Sequence, residues 1–381
     1  MILELIAITA FAIWIYLLSG RGGFWLCRQS DGGTPDRLPH WPTVTAVVPA
    51  RNEADCIAES IGSLTRQDYP GTFSIVLVDD DSGDDTAAVA RGAAAGFVSF
   101  DLIRSRGVAP GWTGKLWALQ QGIEAVRAVS PPPDYLLLTD ADIVHAPDSV
   151  RSLVARAERG RYVLTSLMAK LRCESLAEKS HVPAFVFFFD MLYPFSWVNN
   201  RDRATAAAAG GCILVKTEAL IQAGGVESIR GALIDDCSLA RRMKAVGPIW
   251  LGLTERVRSI RRYDWADAKR MIARSAYAQL NNSPLVLAAM TFGLALTFLA
   301  APALAVFDDG MARILGIGAW LLMVLALQPM LRFYRVSPLW GLALPAIAAA
   351  YMIYTLESAC RYWRGQGGIW KGRVQANASH S

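Results

Sequence analysis

Residues 135–142 read YLLLTDAD, a short apolar run that ends on two carboxylates one residue apart. Five such residues bounded by turn and acidic sequence predict a buried strand over Tyr135–Thr139. Two upstream runs share the arrangement. Thr43–Pro49 (TVTAVVP) leads into Arg51-Asn52-Glu53, and Phe73–Val78 (FSIVLV) leads into Asp79-Asp80-Asp81. Helical patterns separate them: Ile57, Ile61 and Leu64 behind Asn52 as a cap, a segment from Asp85 to Ala95, and Leu116, Leu119, Ile123 and Val126. Strand alternating with helix predicts an α/β domain with a mainly parallel sheet. In such sheets the ligand site lies beyond the carboxyl ends of the strands, and all three ends here carry charged side chains.

The chain has 381 residues, 53% of them hydrophobic and 19% charged, which excludes a disordered chain and is greasier than a soluble enzyme. The apolar excess is concentrated. Residues 2–18 (ILELIAITAFAIWIYLL) have about the minimum length for a span and no cleavage site after them, so they read as a retained anchor. Further spans are expected near 285–307, 313–331 and 339–357, with Asp308, Asp309 and Gly310 as a polar turn. Arg21, Arg28 and Arg37 follow the first span while no basic residue precedes it, which places the N-terminus outside and the middle domain in the cytoplasm. Four spans then put the tail RYWRGQGGIWKGR outside, against its four basic residues. The aromatic segment Ala184–Trp197 is short for a span, holds Asp190 and Pro194, and is expected to lie at the membrane surface. The net charge of +5, gathered beside the apolar runs, suits anionic lipid headgroups rather than nucleic acid. Six scattered cysteines show neither zinc-ligand spacing nor a disulfide framework, in keeping with free thiols in a reducing compartment.

Asp140-Ala141-Asp142 can bring both carboxylates to one hard cation, Mg²⁺ or Mn²⁺, shared with a substrate phosphate. The plainer alternative is that Asp142 or Asp148 caps the next helix. His145 reads as a satisfied loop residue rather than a third ligand. Asp79, Asp80 and Asp81 mass like charge; Ser82 with Asp85 could cap a helix, whereas carboxylates at a strand end suit a ribose or base. Gly111-Trp112-Thr113-Gly114-Lys115 opens a helix with a lysine in its first turn, against the helix dipole but suited to an anion. Asp235-Asp236 stands where another helix starts, either as dipole-favoured caps or as a general base whose neighbour raises its pKa.

Together VVPARNE (47–53), VLVDDDSGDDT (76–86), GWTGKLWALQQG (111–122), TDAD (139–142), GGCILVKTEAL (210–220) and DD (235–236) resemble, in order and rough spacing, the family 2 glycosyltransferases with a GT-A fold. The membrane layout and the terminal WKGR (370–373) are similar to the ceramide glucosyltransferase branch and to the hopanoid-associated bacterial members. The resemblance implies a Rossmann-like GT-A domain over residues 42–283, with 184–198 as an interfacial segment. An anchor over 1–20, C-terminal membrane helices over 284–358 and a basic tail over 359–381 complete the layout. It also implies site roles. Pro49, Ala50, Arg51, Glu53, Asp79, Asp80, Lys115, Asp140 and Ala141 would shape the pocket of a nucleotide-sugar donor, a UDP-sugar. Asp140 and Asp142 would hold the divalent metal, Gly210, Gly211 and Arg274 would flank the acceptor, and Asp236, beside Asp235, would be the base. The family's Q-x-x-R-W motif falls at Met271-Ile272-Ala273-Arg274-Ser275, where only its arginine is present.

The tryptophan missing there belongs to processive synthases, which also need more spans than this chain has. A single, inverting hexosyl transfer to a lipid hydroxyl, hopanoid or ceramide-like, at the cytoplasmic face of the bacterial inner membrane is therefore expected. Two rivals stand beside it: transfer to a polyprenyl phosphate held by Arg201, Arg203, Arg241 and Arg242, and a non-catalytic lipid carrier.

Overall fold

A computed structural model of the chain describes residues 1–33 and 37–365, together with the backbone of 369–370 and 373–374. Lys371 and Gly372 of the WKGR segment and the end of the basic tail lie outside the described residues. The chain divides into two compact units, one of Met1–Arg28, Cys173–Ser196 and Tyr263–Gly368, the other of Gln29–Arg172, Trp197–Arg262 and Ile369–Ser381.

The second unit is built on an eight-stranded sheet: β1 Val44–Ala50, β2 Phe73–Asp79, β3 Phe100–Arg104, β4 Tyr135–Thr139, β5 Ile143–His145, β6 Leu164–Lys170, β7 Cys212–Lys216 and β8 Ile249–Ser259. Their order is β3-β2-β1-β4-β7-β6-β8-β5. The three strands legible in the sequence, β1, β2 and β4, are adjacent and parallel, so their acidic ends share one edge. β7 joins β4 and β6 in antiparallel register and β5 pairs antiparallel with β8, giving a mixed, mostly parallel α/β sheet. On one face Val44, Ala46, Val48, Ile75, Leu77 and Leu137 pack with Ile57, Ile61 and Leu64 of the helix Ile57–Thr65. The period of two along the strands meets the helical period of the covering element, which is what makes one continuous core.

The other face receives the helix Gly114–Arg127, and Gly122 is why it fits. A Cβ there would stand 2.6 Å from Val47 Cγ1 and 2.8 Å from Val78 Cγ2, closer than carbon atoms pack. The bare glycine lets the helix sit on β1 and β2, so that its first turn reaches the carboxyl edge. Thr113 caps it, its hydroxyl accepting from Leu116 N.

Three expected caps prove wrong. Asn52 does not cap the helix Ile57–Thr65; it lies in the left-handed region (φ 50°), and its Oδ1 accepts from Gly83 N at 2.8 Å. Ser82 accepts from Asn52 N, and Asp84, not Ser82 or Asp85, accepts from Thr86 N at the start of the helix Thr86–Ala93. Asp148 precedes the helix Ser149–Gly160 without capping it, since its carboxylate takes Arg256 Nε at 2.9 Å. The polar side chains tie neighbouring loops to each other instead, and this fixes the edge of the sheet.

The first unit is helical. Among the described residues four helices are long and apolar enough to cross a membrane: Ile2–Gly20, Pro284–Phe307, Gly310–Phe333 and Pro338–Trp363. The second contains a π-helical stretch, Ala295–Leu299, where Thr297 O accepts from Trp14 Nε1 at 2.8 Å. Trp14 also meets Phe298 edge-on, with ring centroids 5.4 Å apart, so the first of these helices is joined to the second by a hydrogen bond and a ring contact. In the helix Leu176–Leu192 Asp190 is buried and accepts from Phe195 N at 2.9 Å, which starts the short helix Phe195–Val198.

Candidate active site

Four segments of the sheet-bearing unit converge at its acidic edge. β4 delivers Asp140, the helix Gly114–Arg127 delivers Lys115, the helix Asp235–Val246 delivers Asp235 and Asp236, and the chain entering β7 delivers Gly210. Lys115 Nζ lies 2.8 Å from Asp140 Oδ1 and 3.4 Å from Asp235 Oδ2. Asp236 accepts from Gly210 N at 2.9 Å and from Cys237 N at 2.7 Å. Thr139 Oγ1 donates to Gly211 O at 2.9 Å and so holds the end of β4 against the glycine pair. The cleft between these groups is completed by Pro49 and has an apolar floor of Leu116, Leu138, Ile213 and Leu239.

Charge is not balanced here. Burial alone would discharge Lys115, but the carboxylates of Asp140 and Asp235 outweigh it and push its pKa up, so it stays an ammonium. Burial raises the pKa of Asp140 and is only partly offset by Lys115. Asp236 is raised to about 6, chiefly by burial and then by the charge of Asp235, with Lys115 and its two backbone donors acting the other way. A carboxylate in that range is suited to take a proton near neutral pH.

Asp142 sits in a second network. Its Oδ2 accepts from Ser259 Oγ at 2.7 Å and from Arg261 Nε at 3.2 Å, and Arg261 Nη2 reaches both Glu53 oxygens at 2.9 Å. Asp142 therefore caps no helix. Asp140 Oδ2 and Asp142 Oδ1 make no hydrogen bond or ion pair among the described residues, so two hard oxygen donors remain beside the cleft, the donor type that Mg²⁺ or Mn²⁺ takes. Glu53, Asp55 and Cys56 also bring ligand atoms within 4.8 Å of one another. That group is a poor cation site, because Glu53 is engaged by Arg261 and burial, then the Glu53 charge, pushes the Cys56 thiol pKa up.

A third network closes the edge. Arg51 Nη1 donates to Asp80 O and, at 3.1 Å, to Asp81 O, and its Nε is buried without a partner. Asp79 Oδ1 accepts from Ser82 N at 3.3 Å. Ala50 and Ala141 instead turn their methyl groups into the core, leaving only backbone for any donor contact. His145 is buried against Thr139 and Ser149, and burial holds its pKa down to about 4, so it is a neutral structural group. Arg274 is exposed at the end of the helix Trp265–Ala273 and belongs to the helical unit. Ser259 and Arg261 were not legible in the sequence. They meet Asp142 across 117 and 119 residues, from a strand whose alternation announces no site.

Residues 45–224 match the model of Glycosyl transferase family 2. An N-acetylglucosaminyltransferase of Mesorhizobium japonicum is 27% identical over 202 residues, covering 50% of this chain and 43% of the relative. The undecaprenyl-phosphate 4-deoxy-4-formamido-L-arabinose transferase of Shewanella sediminis is 32% identical over 121 residues, 31% of this chain and 34% of the relative. The chain thus spans less than half the length of either. The mannosyltransferase PcManGT from Pyrobaculum calidifontis, solved in complex with GDP-Man and Mn²⁺, superposes with TM-score 0.57 at 21% identity. That likeness covers 93% of this chain and 99% of the other, and at this identity it shows the fold. The fold is that of the GT-A type. Over residues 45–224, a little under half of the chain, the sequence is similar to the family 2 glycosyltransferases.

Proposed function

We propose that the chain is a membrane-bound, inverting glycosyltransferase that moves one hexosyl unit from a nucleotide sugar, a UDP-sugar, to the hydroxyl of a hopanoid- or ceramide-like lipid. The observation that carries this reading is the position of Asp236. It is a carboxylate with a raised pKa, held by Gly210 N and Cys237 N, in the cleft that also holds Lys115 and Asp140. An alcohol needs a base to become a nucleophile, whereas a phosphate acceptor is already anionic and would meet Asp140, Asp235 and Asp236.

In the reaction the acceptor oxygen attacks the anomeric carbon from the face opposite the diphosphate. Its proton passes to the Asp236 carboxylate, the bond to the diphosphate breaks, and the nucleoside diphosphate leaves. Lys115 neutralises charge as it builds on the leaving group. A divalent cation held by Asp140 and Asp142 would supply further charge neutralisation there. Arg51, Glu53, Asp79 and Asp80 would bind the nucleotide, and Gly210 and Gly211 would line the acceptor side.

The same reading takes 42–283 as catalytic, with the anchor, the C-terminal spans and the segment 184–198 keeping the lipid body in the bilayer. Membrane association is supported by the four apolar helices. A cytoplasmic domain at a bacterial inner membrane is supported by Arg21 and Arg28 after the first span and by six free cysteines. The name of the Shewanella relative favours a second reading, transfer to a polyprenyl phosphate. Against it, Arg201 and Arg241 each already donate to a backbone carbonyl, that of Gly160 and that of Cys237.

The test is release of nucleoside diphosphate by the protein in membranes, with a panel of nucleotide sugars, Mn²⁺ or Mg²⁺, and added lipids, beside Asp142→Ala. Release from one donor, increased by a hopanoid or ceramide and lost in the variant, supports the proposal. Stimulation by undecaprenyl phosphate alone supports the second reading, and no release from any pairing in folded protein overturns both.

A further inference from the structure

Arg261 joins two nearly buried carboxylates that come from separate segments of the domain sequence. The side chains of Asp142 and Glu53 are 12% and 7% exposed, and a single guanidinium contacts both. The contact with Glu53 engages both carboxylate oxygens at 2.9 Å, while that with Asp142 is one bond at 3.2 Å. The same Asp142 oxygen takes the shorter bond from Ser259, which orients the carboxylate on its own. Arg261 thus adds charge more than direction. A guanidinium stays protonated in a protein, so this positive charge beside Asp142 is permanent.

We propose that Arg261 is the built-in counter-cation of Asp142: it opposes a divalent cation at the Asp140–Asp142 pair, and so sets how tightly the cation is held. The proposal rests on the reading of Asp140 and Asp142 as the metal acids. Arg261 would be a positioning residue that acts through Asp142 and Glu53. Two like charges separated by about 5 Å repel enough, even in a water-like dielectric, to change a divalent-ion affinity about ten-fold. Glu53 tempers the effect by neutralising part of the guanidinium charge. Neutralising Arg261 and neutralising its partner Glu53 are therefore expected to change the affinity in opposite directions, which a purely structural role would not produce.

The experiment is a Mn²⁺ titration of the full chain in nanodiscs without nucleotide, following free Mn²⁺ by its electron paramagnetic resonance signal. Arg261→Gln should bind Mn²⁺ about ten-fold more tightly than the unsubstituted protein, and Arg261→Lys, which keeps the charge, should stay within about three-fold of it. Glu53→Gln should bind several-fold more weakly, because the guanidinium loses its partner. Asp142→Asn should lose the site alone and in combination with Arg261→Gln, with circular dichroism confirming the fold of each variant. An Asp142-dependent site whose affinity is unchanged or weakened in Arg261→Gln, or tightened ten-fold in Arg261→Lys, overturns the proposal and leaves the metal reading standing. Should Arg261→Gln not fold, the Lys and Glu53 variants decide in the same way. Absence of Asp142-dependent Mn²⁺ binding in the unsubstituted protein overturns the metal reading and this proposal with it.

Discussion

Gly210 and Asp236 are joined by a hydrogen bond of 2.9 Å from the glycine N–H to the carboxylate Oδ2, and a Cβ on that glycine would stand 3.3 Å from the same oxygen. The bond links the entry to β7 with the first turn of the helix Asp235–Val246, and it leaves room for no larger residue without movement of the base. The Cβ would also lie 3.4 Å from Lys115 Nζ, so both polar groups would have to yield. Gly210→Ala is expected to lower kcat about ten-fold while the melting temperature changes little, because a few tenths of an ångström at the base costs turnover before it costs fold. Sugar transfer and a thermal melt on the same preparation check this.

Asp236→Asn removes the proton acceptor and keeps the shape. The expected loss in kcat is about 10²–10⁴-fold, with donor affinity nearly intact. Isothermal titration with the nucleoside diphosphate, beside turnover, separates the two. A wild-type rate in this variant would remove Asp236 from the mechanism.

The same residue sets a pH dependence. Its pKa is raised to about 6 by burial and by the charge of Asp235, and only the ionised form accepts a proton. Activity should therefore rise with pH through about 6 and level off above it. Asp235→Asn removes the neighbouring charge and should shift that rising limb to lower pH. A limb that stays in place would assign it to another group.

Lys115 compensates Asp140 and Asp235, so Lys115→Met leaves two carboxylates facing each other. Because the side chains are 19–34% exposed, the stability loss should be about 1–2 kcal/mol, below that of a fully buried pair. Donor binding should weaken by a larger factor than the melting temperature implies. Lys115→Arg should restore stability more fully than activity.

His145 makes stability depend on pH. It is neutral in the folded domain, with its pKa held near 4 by burial, whereas the unfolded chain takes up a proton below about 6.5. The unfolded state binds more protons in that interval, so stability present above pH 6.5 is lost as pH falls toward 4, by up to roughly 3 kcal/mol. Melting temperatures of the protein and of His145→Gln between these pH values check it; the variant should show the flatter profile.

Much of the fold was legible because it rests on local patterns. β1, β2 and β4 appear as short apolar runs ending in charge, and the four helices long and apolar enough to cross a membrane appear as apolar stretches. β6, β7 and β8 escaped that reading. β7 runs antiparallel between β4 and β6, and no residue within Cys212–Lys216 states its direction. The caps were misassigned for the same reason. Asn52, Ser82 and Asp148 are good capping residues by type, but loop partners 30 to 108 residues away in the chain compete for their side chains.

The amino-acid sequence by itself determined which acids this protein carries to the edge of the sheet, because a strand that ends on or just before Asp79, Asp140 or Asp142 delivers them to its carboxyl end. It also determined that part of the chain is apolar enough to span a bilayer. The tertiary structure alone decided how those acids are divided: Lys115 takes Asp140 and Asp235, Arg261 takes Asp142 and Glu53, and the backbone of Gly210 takes Asp236. The physical reason is range. Periodicity and propensity act over a few residues and leave a trace in sequence, whereas ion pairing in a partly buried cleft depends on distances of about 3 Å between groups far apart in the chain.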